Sequence, residues 1–367
     1  MKAFSDRGHK VTIFVIRPDK KNLSVSNFQE NSLDVYEIHP PWFTPFQGKR
    51  GVGKYLNYLA CIPTIKKLAT EIMKQDKIDY VYSYMPGIGT SYPAMKIKSK
   101  LKIKHVLDFA DFHVYVRPKR LVMDSFRNAD KIIAITDYLK QLLIDKGIDT
   151  EKIHLIPNGV DLELFNSSKY ATNEIQKLRE SFHSKNLIVF SGALQDLNII
   201  IDSAKNVVTK FPDTKYIILG DHRNPKLSKD IWKKKVQDKE LEKFFVFLGT
   251  KPHVEIPKFL LCADICIDSF PNEPYYAAAH TIKLLEYGAC GKAVVATKVS
   301  ETEKLLTHEF HGYLASPSNS DEFAKFLKIL LRSTELRDKM GNEFSNHIRK
   351  NFDWNKIAKD LELYLED

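Results

Sequence analysis

From Leu187 to Thr297, short runs of β-branched and aromatic residues return at intervals, each separated by a stretch with helical spacing. The runs are Leu187–Ser191 (LIVFS), Tyr216–Leu219 (YIIL), Phe245–Leu248, Ile265–Ile267 and Ala293–Thr297. Asn198–Phe211 and Thr281–Cys290 read as helices among them, and Ser320–Leu331 and Thr334–Lys350 as helices beyond them. This alternation leaves a chain few options. Parallel neighbours need a crossover connection, and the crossover helix covers a face of the sheet. The expectation is a parallel sheet covered on both faces, with ligands bound beyond the carboxyl ends of its strands.

The same rhythm occupies the first part of the chain. Val11–Ile16, Val35–Ile38, Tyr80–Tyr84, His105–Asp108, Lys131–Thr136 and His154–Ile156 are strand-like. A helix falls within Tyr55–Lys74, and Asp137–Lys146 is helical with Gly147 as its stop. Between the two blocks, Pro157–Lys185 is polar, opens on a Pro-Asn-Gly turn and reads as an interdomain linker. From Trp354 onward, Ile357, Leu361 and Tyr364 share one helical face. The fold class is therefore α/β: two Rossmann-like, doubly wound domains facing across a cleft, a division that 367 residues suit.

Composition removes several functions. No run approaches the about 18 apolar residues of a membrane span, and MKAFSDRGHKVTIFVI carries charges where a signal peptide needs its apolar core. A cytoplasmic address follows. Cys61, Cys262, Cys266 and Cys290 lack the second ligand pair of a zinc site and read as small buried residues, so no metal is expected. The net charge of +10 suits an anionic partner or a solvated surface. No nucleic-acid recognition motif accompanies it, and no nucleic-acid partner is expected.

The stretch HTIKLLEYGACGKAVVAT, His280–Thr297, carries the chemistry. Its helix starts near His280 or Thr281, just after Ala277, Ala278 and Ala279, whose small side chains let a ligand approach the free N–H groups. Such a helix start favours phosphate. Ile282, Leu285 and Ala289 define an apolar face that Glu286 borders. Glu286 is then either a carboxylate accepting hydrogen bonds from a ribose diol or a solvated residue at the helix edge.

KLLEYGACGKAVVAT resembles the donor-site signature of family 4 of the retaining GT-B glycosyltransferases. Other segments match in the family's order: GHKVTIFVI, ADKIIAITDYLKQLLIDKGIDTEKIHLIPNGVDLELF, LIVFSGAL, KYIILGD, FVFLGTKPHVEIPKFLLCADICIDSF and the Trp354 tail. The resemblance covers nearly the whole chain. It implies an acceptor domain over residues 1–165, a nucleotide-sugar domain over 166–350, and a helix over 351–367 that returns to the first domain. It also implies that Glu286 holds the donor ribose and that backbone amides at Ala279, His280 and Thr281 contact phosphate or sugar. Thr250 and Lys251 then frame the nucleobase, and Gly192 lets the phosphates approach the backbone.

Four departures from the family pattern stand out. Ala278 occupies the position of a second glutamate, with Glu273 the nearest acid. Gly192-Ala193-Leu194-Gln195-Asp196-Leu197 lacks the arginine and lysine that neutralise a leaving diphosphate, so Lys251, Arg223 or His280 becomes the substitute cation. In VLDFADFHVY, Asp108, Asp111 and His113 are open as the catalytic residue of the first domain, and similarity to a D-x-x-D subgroup favours Asp111. Finally, the chain begins inside the family's first helix, which implies truncation of a first strand and glycine-rich loop.

The implied activity is transfer of a hexosyl or related sugar from a UDP- or GDP-linked donor to an acceptor hydroxyl with retention. No cofactor or metal is implied. The acceptor is a carbohydrate or a lipid-linked molecule in glycan, glycolipid or cell-surface polysaccharide synthesis. Arg117, Lys119 and Arg120, with Lys49 and Arg50 beside Trp42, Phe43 and Phe46, suit an anionic membrane surface at its inner, cytoplasmic face. The alternative is a degenerate nucleotide-sugar-binding homologue with little or no transfer.

Overall fold

The structure, a computed structural model, describes residues 1–17, 23–40, 52–111, 119–222, 228–273, 276 and 278–366. It divides into two units, Met1–Pro157 with Ile357–Asp367, and Asn158–Lys356. The division falls at 157, where the Pro-Asn-Gly turn lies.

The first unit runs α1 (Lys2–Asp6), β1 (Thr12–Ile16), β2 (Ser24–Glu30), β3 (Leu33–His39), α2 (Val52–Gln75), β4 (Tyr80–Tyr84), α3 (Ser91–Leu101), β5 (Lys104–Phe109), α4 (Lys119–Asn128), β6 (Lys131–Ala134), α5 (Asp137–Asp145) and β7 (Ile153–Leu155). Its strands form two sheets, ordered β1-β3-β2 and β4-β5-β6-β7. The second sheet is wholly parallel. In the first, β2 and β3 make an antiparallel hairpin that the strand-helix rhythm did not anticipate. Its turn residues Asn31 and Ser32 both take positive φ, at 50° and 63°, as a two-residue hairpin turn requires.

The second unit continues with α6 (Thr172–Glu180), β8 (Asn186–Ser191), α7 (Asn198–Lys210), β9 (Thr214–Leu219), α8 (Lys229–Asp238), β10 (Phe245–Gly249), α9 (Ile256–Cys262), β11 (Ile265–Asp268), α10 (Ile282–Ala289), β12 (Val294–Thr297), α11 (Ser300–Leu305), β13 (Gly312–Ala315), α12 (Ser320–Arg332) and α13 (Thr334–Asn351). Its six strands are parallel in the order β10-β9-β8-β11-β12-β13. That is the order of a doubly wound sheet that reverses between its two central strands, here β8 and β11. Side chains alternate between two cores. Ile188, Phe190, Ile218, Ile265, Ile267 and Val295 face one, and Leu187, Val189, Ile217, Leu219, Cys266, Val294 and Ala296 face the other. Period-two alternation with both faces apolar makes each strand read as a continuous hydrophobic run.

Helix boundaries follow local chemistry. The Asn319 side chain accepts from Glu322 N at 3.0 Å and caps α12, and Asp321 and Glu322 in the first turn complement the helix dipole. Its Phe323, Phe326, Leu327 and Leu330 are buried.

The stretch expected to be a linker is instead packed. Val160 and Phe165 are buried in the second core. Arg179 of α6 donates to Asp264 Oδ2 at 2.8 Å and to Cys262 O at 2.5 Å. Polar composition misleads here because a few apolar residues and one guanidinium suffice to hold the segment down.

The last helix, α14 (Trp354–Glu366), belongs from Ile357 onward to the first unit. Ile357 and Leu361 are buried with Val106, Ile133 and Ile156. The Tyr364 hydroxyl donates to Lys152 O at 2.6 Å, and its ring stacks on His154 at 4.4 Å. Glu362 accepts from Arg7 and pairs with His9, which holds its carboxyl down at about 2. All four cysteines are free and buried, and burial pushes the Cys61 and Cys262 thiols up to about 11 and Cys290 to about 12.

One close contact supports the second unit. A Cβ at Gly341 in α13 would lie 2.1 Å from the Gly291 carbonyl oxygen. Helix propensity alone favours alanine over glycine by about 0.5–1 kcal/mol. Gly341→Ala should nevertheless destabilise the protein by about 1–3 kcal/mol through overpacking, read as a fall in Tm of about 2–4 °C per kcal/mol by circular dichroism. An unchanged or higher Tm would show that the backbones do not meet there.

Candidate functional site

At the carboxyl end of the six-stranded sheet, β8, β9 and β10 finish on or just before glycines with positive φ: Gly192 at 148°, Gly220 at 115° and Gly249 at 69°. The strand ends are closed backbone to backbone. Gly192 N donates to Leu219 O at 3.0 Å, and Gly220 N to Gly249 O at 2.8 Å. A Cβ at Gly220 would lie 1.9 Å from the Gly192 carbonyl oxygen, so no side chain fits. At Gly192, a Cβ would lie 2.6 Å from Lys283 Cδ.

Lys283 comes from the first turn of α10, which starts beside these strand ends. Thr281 is its N-cap residue, but its hydroxyl donates to Asp268 Oδ2 at 3.1 Å and does not cap the helix. Asp268, the last residue of β11, is 1% exposed. Its Oδ1 also accepts from Lys283 Nζ at 2.5 Å and from Ser269 N at 2.9 Å. The Lys283 ammonium lies over the Phe190 and Phe270 rings, 4.7 and 4.5 Å from their centroids. One turn on, Ser191 N donates to the Tyr287 hydroxyl at 2.9 Å, fastening α10 to the end of β8.

The amphipathic reading of α10 is corrected. Leu284 through Ala289 are all buried, while Ile282 is 46% exposed. Gly288 lets α13 press against the face expected to be solvated, since a Cβ there would lie 2.5 Å from Ile348 Cγ1. Glu286 is buried as well, and it is not a solvated edge residue. Its Oε1 pairs with His253 Nε2 at 2.8 Å. That hydrogen bond raises the His253 imidazole above its ordinary 6.5. The contact ties α10 to the segment after β10, where Thr250 is exposed and Lys251 half-buried.

His280 is buried, with Nδ1 lacking a hydrogen-bond partner among the described residues. Burial lowers it to about 4, so it is neutral at pH 7. Arg223, another candidate cation, lies outside the described residues, as does Ala277. Asp196, of the wrong sign for a phosphate, accepts from Asn198 N at 2.8 Å at the start of α7. Ala278 is fully buried and Glu273 exposed. Ala279 is half-buried between them and the helix start.

In the first unit, the candidate acids follow β5. Asp108 accepts from the Tyr82 hydroxyl at 2.5 Å, and burial raises its carboxyl to about 6. Asp111 is half-buried three positions on. His113, Arg117, Trp42, Phe43, Phe46, Lys49 and Arg50 lie outside the described residues, as does the Lys119 side chain. Arg120 is exposed.

Comparison with known proteins was made on this fold. Residues 172–347 match the family Glycosyl transferases group 1, and residues 1–164 match Glycosyltransferase Family 4. The chain thus carries a glycosyltransferase family 4 domain followed by a glycosyl transferases group 1 domain. An uncharacterized glycosyltransferase of Methanocaldococcus jannaschii is 24% identical over 94% of this chain and 89% of its own length. A glycosyltransferase from Rickettsia africae has the same fold, with a TM-score of 0.77 at 19% identity, covering 100% of this chain and 92% of its own. HepE of Anabaena, solved in complex with UDP and glucose, gives 0.71 at 19%, covering 92% and 87%. The fold is that of the GT-B glycosyltransferases.

Within this glycosyltransferase, three residues were not singled out from sequence: His253, Asp268 and Lys283. Lys283 stands inside the quoted motif, and its contacts with Gly192 and Asp268 are what distinguish it from the other lysines. Because Glu286 raises the His253 pKa, the pair's contribution to stability is full below about 6.5 and is lost as pH rises through the folded value. In Glu286→Gln, the His253 titration midpoint followed by NMR should move down from the wild-type value. An unmoved midpoint would show that the two side chains do not pair in solution.

Proposed function

We propose that this glycosyltransferase moves a hexosyl or related sugar from a UDP- or GDP-linked donor to a carbohydrate or lipid-linked hydroxyl, with retention of anomeric configuration. The product enters glycan, glycolipid or cell-surface polysaccharide synthesis. The bond from the anomeric carbon to the diphosphate oxygen breaks and one to the acceptor oxygen forms. The acceptor's proton leaves with the diphosphate. In this reading protein cations and N–H groups meet the charge that builds on the leaving group.

Glu286 carries the proposal. A buried carboxylate is expensive to keep without partners, and Glu286 pairs with the exposed His253 rather than with a core residue. A ribose diol offers two donors to such a carboxylate. The backbone at Ala279, His280 and Thr281 then takes phosphate or sugar, Thr250 and Lys251 the nucleobase, and Gly192 the diphosphate. Asp111 is the catalytic residue on the acceptor side. The UDP and glucose of the HepE complex support a nucleotide-sugar partner.

A panel of nucleotide sugars should yield hydrolysis or transfer from at least one donor. Glu286→Ala should weaken UDP or GDP binding by roughly 10- to 100-fold in calorimetry, the range of a lost charged hydrogen bond. A variant that binds as tightly as wild type would remove Glu286 from the site.

The acceptor is proposed to be met at an anionic membrane surface on its cytoplasmic side. Among the described residues no helix is long and apolar enough to cross a membrane. The proposal is supported by the net charge of +10 and by Lys66, Lys67, Lys74 and Lys100 around one groove of the first unit. Sedimentation with anionic vesicles should exceed that with neutral ones and fall with salt. Equal sedimentation would remove the membrane from the account.

A further inference from the structure

We propose that Lys283 is the cation that meets the donor diphosphate in this enzyme, taking over from α10 the task for which no base follows Gly192. The inference rests on the nucleotide-sugar reading above.

Place comes first. A doubly wound sheet binds ligands where its strand order reverses, here between β8 and β11. Lys283 bridges these two strands at their carboxyl ends. Its stem lies against Gly192, which follows β8, and its ammonium meets Asp268, which ends β11. It also stands in the first turn of α10, where unpaired N–H groups and the helix dipole favour an anion.

Spare bonding capacity comes second. A lysine ammonium has three donors. Asp268 accepts from one, and the faces of Phe190 and Phe270 flank the charge without accepting a strong hydrogen bond. The side chain is 16% exposed, so it is sheltered yet reachable.

The third argument concerns Asp268. A buried ion pair is no more stabilising than well-packed apolar residues of the same volume. The Asp268–Lys283 pair therefore has little reason to exist as mere core. Asp268 already receives the Thr281 hydroxyl and Ser269 N. Adding Lys283 fixes the direction of a flexible side chain, so the cation is aimed before the diphosphate arrives. The competing cations are weaker candidates: burial makes His280 neutral, and Lys251 follows β10, at the far edge of the sheet.

The test separates this role from a purely structural one. Lys283→Met alone leaves the Asp268 carboxylate buried and unpaired, and its folding would suffer for that reason. The decisive variant is therefore the double change Lys283→Met with Asp268→Asn, alongside Lys283→Arg. The full chain is titrated calorimetrically with uridine, UMP and UDP, and with guanosine, GMP and GDP. Wild type should prefer the diphosphate. The double variant should bind the nucleoside as wild type does and the diphosphate roughly 10- to 100-fold more weakly, while Lys283→Arg should keep most of the preference. A double variant that folds and retains the wild-type ratio of diphosphate to nucleoside affinity overturns the role of Lys283 and leaves the donor reading standing. A wild-type chain that binds none of the six overturns the donor reading itself, and this inference with it.

Discussion

A parallel sheet covered on both faces leaves its strand ends as the place where polar groups can work. In the second unit the side chains of β8, β9, β11 and β12 enter two apolar cores, one on each side. Among the buried polar residues of these strands Asp268 carries a charge, at the last position of a central strand and 1% exposed. A carboxylate there must be satisfied. The groups that satisfy it, Thr281 and Lys283, both come from the start of α10. That requirement pins the helix to the sheet where the strand order reverses, and Tyr287 repeats the attachment at Ser191. Glu286 is thereby held at a set position relative to the end of β8.

The resulting site has opposite charges at two levels of one helix. Lys283 and the free N–H groups lie at its start, and Glu286 lies about one turn further in, paired with His253. Burial keeps His280, between the loop and the helix, uncharged. A ligand with an anionic end and a hydroxyl-bearing end fits that polarity.

Much of the fold was legible because its signals are local. The runs LIVFS and YIIL lie within β8 and β9, since β-branched and apolar residues in short runs are a strand signal wherever both faces are buried. The hairpin partner Ser24–Glu30 was not read, because SVSNFQE is mostly exposed and polar and its turn lacks glycine. The four-residue β13 was missed because GYLA is too short for any period to show. Residues after Pro157 were read as linker from their polarity, yet Phe165 and Arg179 anchor them. The family resemblance marked Glu286, whereas spacing alone left it open between a ribose ligand and a solvated edge residue. Helical spacing could not foresee that His253, 33 positions earlier, would meet Glu286.

The sequence by itself determined the alternation of strands and helices, the two-unit plan and the motif that contains Glu286. All three depend on residues close together in the chain, where period, turn chemistry and motif spacing can be read directly. Tertiary structure alone decided which charges are usable. It buried His280 into neutrality, gave Glu286 its histidine, and set Lys283 between Gly192 and Asp268. Desolvation and ion pairing depend on groups that meet only when distant strands end side by side, and no local pattern records which lysine arrives there.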